Sequence, residues 1–169
     1  MGRYFAMWAI VLLFAFAAGN PSLAKTISGK VSVIDGHQLM MQGSNLTVRL
    51  YGVDSCAMNQ VAHLNDVPWR CGVVSAGWLT QLTLGYEIKC LDEGEAGYAA
   101  IYGRCFLPSG EDIAKLALKE GMAFAARKGG EPIESAYGII EAGARRERVG
   151  IWSSNFVLEG GLYRAGTAE

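Results

Sequence analysis

The sequence predicts an α+β domain with the element order βββ-α-ββ-α-α. Three observations carry this. Apolar and polar or small residues alternate between turn signals over residues 26–53. Three later stretches place apolar residues at helical spacing. Two short apolar runs, each with a cysteine, lie between the first and second of those stretches.

"TISGKVSVIDGHQLMMQGSNLTVRLYGVD" divides into three strands. Val31, Val33, Leu39 and Met41 alternate with polar or small neighbours, and Thr47, Val48, Leu50 and Tyr51 continue a third strand. Asp35-Gly36 and Gly43-Ser44-Asn45 mark the turns. Residues 55–68 read as a loop. A helix then opens at Pro68 or Trp69 and runs to about Leu84, with Val74, Trp78 and Leu82 on one face and Gly85 as its C′ residue. "YEIKCL" and "GRCFL" are the fourth and fifth strands, joined by the loop "DEGEAGYAAIY". "GEDIAKLALKEG" is a short amphipathic helix with Ile113, Leu116 and Ala117 facing in and Gly121 at its end. The last helix spans residues 131–148, with Pro132 in its first turn and Ile133, Tyr137, Ile140 and Ala144 on one stripe. The tail after Trp152 is Gly-rich and is expected to pack only in part.

At 169 residues the chain suits a single domain with its own core. Arg3, an apolar run of about 16 residues and the ending Ser22-Leu23-Ala24 predict a signal peptide over residues 1–24, too short for a membrane span. The expected division is 1–24 leader, 25–154 domain and 155–169 tail, in a periplasmic or secreted protein with no stable membrane span after cleavage. Without Arg3 there are 14 basic and 16 acidic residues, a charge of −2. That balance does not suit a general polyanion binder, which carries a basic face. Four cysteines, Cys56, Cys71, Cys90 and Cys105, all follow the leader. An even count in an exported chain favours two disulfides, and four cysteines allow three pairings. No C-x2-C spacing supports zinc.

In order along the chain, "VIDGHQL", "VRLYGVDS", "YGR" and "GIW" resemble the staphylococcal-nuclease (thermonuclease-like) family over roughly residues 26–153. That resemblance implies a five-stranded β-barrel of OB type with three helices, an SNase-like fold. "WRCG" and the cysteines on the fourth and fifth strands resemble an exported bacterial branch, some of whose members are named for exopolysaccharide (succinoglycan) biosynthesis. The active enzymes hold Ca2+ with two aspartates and a threonine carbonyl, bind phosphate with two arginines, and position the attacking water with a glutamate. Hard cations take oxygen ligands, guanidinium groups hold phosphate with paired donors, and the base must reach the water.

Carried onto this chain, the resemblance places Arg49 and Arg104 at the two arginines, Asp54 at the second aspartate and Ser55 at the carbonyl ligand. His37 occupies the first aspartate position, since "DGD" is "DGH" here, and Ala57 occupies the glutamate, since "DTPE" is "DSCA". Arg127 and Gly129 fall near the base-binding tyrosines. Calcium affinity should therefore be weakened, and the missing base alone removes about 10²–10⁴ in rate. Glu93 or Glu95 are candidate substitutes. His37 with Asp54 would suit Zn2+ or Mn2+ better than calcium. Arg145, Arg146 and Arg148 read as a cationic helix C-terminus rather than a nucleic-acid patch. Tyr102 supports the groove or packs on the barrel. On the strand reading, Cys90 and Cys105 lie on neighbouring antiparallel strands and could bridge across them. Cys56 and Cys71 flank the loop past the groove. Closing a loop of about 15 residues is worth roughly 3 kcal/mol.

The function this implies is an exported thermonuclease-like protein with a degenerate calcium/phosphodiesterase site. It would be weak or inactive as a nuclease and bind an anionic ligand, phosphate or acidic sugar, as an accessory protein of the cell envelope. The alternative is a metal-dependent nuclease on DNA or RNA with a substituted base. The sequence names no protein partner.

Overall fold

The computed structural model describes residues 25–158 and 161–163. The leader expected over residues 1–24 lies outside them. Seven short strands come first: β1 (Thr26–Gly29), β2 (Val31–Val33), β3 (Gln38–Met41), β4 (Thr47–Leu50), β5 (Val53–Asp54), β6 (Ala62–Leu64) and β7 (Val67–Trp69). Helix α1 (Cys71–Thr83) leads into the long hairpin β8 (Ile88–Gly97) and β9 (Ala100–Phe106), then α2 (Ile113–Lys119). The pieces β10 (Phe124–Ala125), β11 (Arg127–Lys128) and β12 (Glu131–Pro132) precede α3 (Ser135–Glu147), a 3-10 turn at Gly150–Ser153, β13 (Phe156–Leu158) and β14 (Gly161–Tyr163).

The main sheet runs β1-β8-β9-β4-β3-β2. Its two edge strands are consecutive in the chain, with only Lys30 between them. Residues 26–29 pair with β8 and residues 31–33 pair with β3, both antiparallel. One bent strand therefore serves both edges, and the sheet curls in the manner of the OB-type barrel that the family resemblance implies, with β4 and β9 as its parallel pair. Inward residues are fully buried in alternation: Leu39 and Met41 from β3, Val48 and Leu50 from β4, Ile88 and Cys90 from β8. Helices α2 and α1 add Ile113, Ala117, Leu118 and Leu79 to the same core. A second apolar cluster joins Cys56, Ala62, Cys71, Ile151, Trp152 and Phe156.

Several elements differ from expectation. The predicted loop 55–68 contains a hairpin, β6 paired with β7, turned by Asn65 and Asp66 at φ 49° and 64°. Pro68 sits in that hairpin, so α1 opens at Cys71. The fully buried row of α1 is Cys71, Ser75, Leu79 and Thr83. Trp78 and Leu82 pack only partly on the barrel, and Val74 is exposed. Most of the expected loop 92–102 is strand, since β8 and β9 extend to Gly97 and from Ala100 through two register shifts. Pro132 lies in β12 rather than in a first helical turn, Ile133 is exposed, and the buried stripe of α3 includes Glu141. In the tail, Phe156 is buried against Trp152, with ring centroids 5.4 Å apart. Gly85, at φ 81°, follows α1 as the expected C′ residue.

Both disulfides follow the strand reading: Cys90–Cys105 lies across directly paired positions of β8 and β9, and Cys56–Cys71 ties the 55–70 segment to the start of α1. Gly72 is needed there, because a Cβ would stand 2.0 Å from the Ala57 carbonyl oxygen. No helix of the described residues is long and apolar enough to cross a membrane.

Candidate functional site

The site is assembled where the β2–β3 turn meets the end of β4 and β5. Asp35 organises the turn: its carboxylate accepts from the His37 backbone N–H at 2.9 Å and from Gln38 Nε2 at 2.6 Å. Gly36 is dictated by space, since a Cβ there would stand 2.7 Å from Ser55 Oγ and from Ser75 Cβ. The Leu50 N–H donates to the His37 carbonyl at 2.9 Å and ties the turn to β4. Pairing of Asp54 with Phe124 holds β5 in place. His37 Nδ1 consequently meets three oxygens: Ser55 Oγ at 3.0 Å, Asp35 Oδ1 at 3.2 Å and Asp54 Oδ1 at 3.5 Å.

These residues border a cleft of about 280 Å³ whose wall includes His37, Arg49, Tyr51, Asp54, Tyr102 and Ile133. Arg49 stands opposite Gln38 on β3 and opposite Tyr102 on β9. Its Nε is buried with no hydrogen-bond partner, and Arg49 makes no ion pair among the described residues. A guanidinium in that state can still donate to an incoming anion.

Arg104 has different company. Its Nε donates to Glu93 at 2.9 Å, one terminal nitrogen to the Tyr137 hydroxyl at 3.1 Å and the other to Glu134 at 3.1 Å. It also lies over the Tyr51 ring, 5.1 Å from the centroid. Burial works against its charge, but Glu93, Tyr137 and Glu134 outweigh that and hold its pKa above the usual arginine value. The Tyr137 hydroxyl in turn donates to Asp112 Oδ2 at 2.9 Å. Asp112 also caps α2, accepting from the backbone of Ala114 and Lys115. Burial first, then the Asp112 carboxylate, pushes the Tyr137 phenol above its ordinary range. Arg104 is not part of the cleft wall that contains Arg49.

The other expected positions scatter. Ala57 is exposed, with its N–H on Gln60 Oε1 at 3.1 Å. Glu93 faces Arg104, and Glu95 is exposed on β8. Arg127 is paired with the buried carboxylate of Glu141, and Gly129 turns β11 into β12 at φ 64°. Arg145 folds inward, 3.6 Å from Glu141 and 4.3 Å over the Trp152 ring, while Arg148 ends α3 in a left-handed conformation. Sequence reasoning treated Asp35 only as a turn residue and did not see Tyr51, Glu134 or Asp112. An acid two residues before His37 was the available signal for the first. The others come from elements far apart in the chain.

The side chains offer calcium few of the six to eight hard oxygen ligands that it takes. Asp54 Oδ1 already accepts the Ser55 N–H at 2.7 Å, and both oxygens of Asp35 are engaged by His37 and Gln38. His37 turns a nitrogen toward the carboxylates. Among the described residues no group of three or more His, Cys, Asp and Glu is arranged to hold a metal, so the two-residue His37/Asp54 shell gains no third member for Zn2+ or Mn2+ either.

A curled OB-like barrel with three helices and an arginine-bearing cleft at the rim defines a nuclease-homologue type of fold. The model of the family described as "Staphylococcal nuclease homologue" matches residues 47–154, more than half of the chain. The chain belongs to that family. No curated protein matches it significantly.

Proposed function

We propose that this family member uses the Arg49 cleft to bind an anionic group, a nucleic-acid phosphate or the carboxylate of an acidic sugar, and has lost calcium-dependent hydrolysis. The observation that carries the reading is Arg49 itself: a cleft-lining guanidinium with a buried, unpartnered Nε and no carboxylate on it. The Ala57 and His37 substitutions remove the base and a hard ligand, which leaves Asp54 as the one acidic side chain at the implied ligand positions. Two disulfides suit an oxidising compartment, which supports placement in the periplasm or outside the cell as an envelope accessory protein. The second reading, a metal-dependent phosphodiesterase, is favoured by one observation: the Asp54 side chain is 55 % exposed beside the cleft.

Fluorescence anisotropy of a labelled single-stranded oligonucleotide in EDTA tests the binding. Competition by inorganic phosphate and by glucuronate sorts the ligand class. Arg49→Ala should weaken binding roughly 10- to 100-fold, the value of one charged hydrogen-bonded contact. Arg146→Ala, which removes one charge from the exposed surface of α3, should change it little. Equal effects of the two substitutions would refute a localised site.

A further inference from the structure

We propose that His37 is a proton acceptor and that the cleft cleaves RNA without a metal, by attack of the ribose 2′-hydroxyl on the adjacent phosphodiester. The inference rests on Arg49 holding the phosphate.

It starts from the imidazole. All three oxygens near the ring face Nδ1: Ser55 Oγ, Asp35 Oδ1 and Asp54 Oδ1. Two are carboxylate oxygens, which only accept, so this network assigns the ring proton to Nδ1. The lone pair is then on Nε2. That atom has no hydrogen-bond partner among the described residues and is not a sealed polar atom, and the ring lines the cleft that contains Arg49. A histidine with one nitrogen anchored on carboxylates and the other without a partner, in a cleft that it shares with a guanidinium, is the arrangement general-base chemistry uses.

Proximity decides the nucleophile. His37 can take a proton from water or from a hydroxyl, and the hydroxyl held next to the phosphorus has the advantage of position. A ribose carries its own nucleophile beside the phosphorus, and an oriented intramolecular attack gains an effective molarity of about 10⁵–10⁸ M. One base and one cation are then enough. The 2′-hydroxyl proton passes to His37 Nε2 as the O2′–P bond forms. The P–O5′ bond breaks, and the leaving oxygen takes a proton from water. The imidazolium returns its proton to the hydroxide so formed. The products are a 2′,3′-cyclic phosphate and a 5′-hydroxyl, with no net consumption of water. Arg49 supports the non-bridging oxygens, where charge accumulates. Tyr102, paired across from Arg49 and 39 % exposed, offers a ring on which a base can stack.

The test uses the purified, disulfide-bonded protein in EDTA and a labelled DNA oligonucleotide with a single internal ribonucleotide. Cleavage is expected only after the ribonucleotide, with a product mass showing a cyclic phosphate, and the all-deoxy strand should stay intact. His37→Ala and His37→Gln should each lower the rate about 10²–10⁴-fold while Arg49-dependent binding of the oligonucleotide persists, which shows that the fold survives. Binding without cleavage above the protein-free control would overturn the inference and leave the binding reading in place. So would cleavage that His37→Gln does not slow. If wild-type binding does not depend on Arg49, the binding reading fails and this inference falls with it.

Discussion

Arg49 and Arg104 sit on adjacent parallel strands, yet their energetic situations are opposite. Arg104 is satisfied by two carboxylates and a phenol, and removing it would strand Glu93 and Glu134 and take away the donor to the Tyr137 hydroxyl. Arg49 has a buried Nε with nothing on it. The motif "VRLYGVDS" made Arg49 and Asp54 legible, because both lie in one local stretch that feeds a strand. The company of Arg104 was not legible, since Glu93 and Glu134 are 11 and 30 residues away in opposite directions. Tyr137→Phe should cost about 1–3 kcal/mol by leaving Asp112 and Arg104 short of a partner, read by urea unfolding. The raised phenol also sets a pH window. Below the unfolded tyrosine value of about 10 the group is neutral in both states. Above it the unfolded chain ionises first, so stability falls as pH rises through that range. Tyr137→Phe should flatten that alkaline loss. Glu141 is a second such case: 1 % exposed, paired with Arg127, with Arg145 at 3.6 Å. Arg127→Ala should destabilise by about 3–5 kcal/mol, the usual result of removing one partner of a buried pair. A change within the range of surface substitutions would show that Arg145 compensates.

At the scale of elements, the alternating strands of 26–53 were readable because each half-buried strand has one apolar face. The α1 face was not. "CGVVSAGWLTQLT" is apolar on most sides, so periodicity does not choose a rotation. The Cys56–Cys71 bridge and the contact of Gly72 with the Ala57 carbonyl fix it instead. The β6–β7 hairpin escaped notice because its turn is Asn65-Asp66 rather than Asn-Gly. Two glycines of α1 should consequently behave in opposite ways. Gly77 has open space around it, and Gly77→Ala should stabilise by about 0.5–1 kcal/mol. Gly72→Ala must displace backbone and should destabilise, with both read as shifts in Tm. Across β8 and β9, replacing Cys90 and Cys105 together by alanine should cost about 2–5 kcal/mol. Retention of the wild-type Tm would mean that strand pairing alone holds this hairpin.

For the whole molecule, the barrel closes through one bent strand, and its rim brings the 34–38 turn, β4 and β5 to one cleft. The near-neutral charge is consistent with that design, because a localised guanidinium does not need a basic face. The main strands and the three helices were visible in the sequence in their order, and the barrel followed from the family resemblance. The cluster of Asp35, Asp54 and Ser55 around His37 was not visible, since three oxygens meet one ring nitrogen only after the turn folds back onto β5. Loss of calcium-dependent hydrolysis is tested by calcium-titrated cleavage of single-stranded DNA, a substrate without a 2′-hydroxyl, by the oxidised protein. The strand is expected to bind through Arg49 and not to be cut faster on adding calcium. Calcium-stimulated cleavage that disappears in Asp54→Ala would contradict that expectation and show that a working metal site persists beside Arg49.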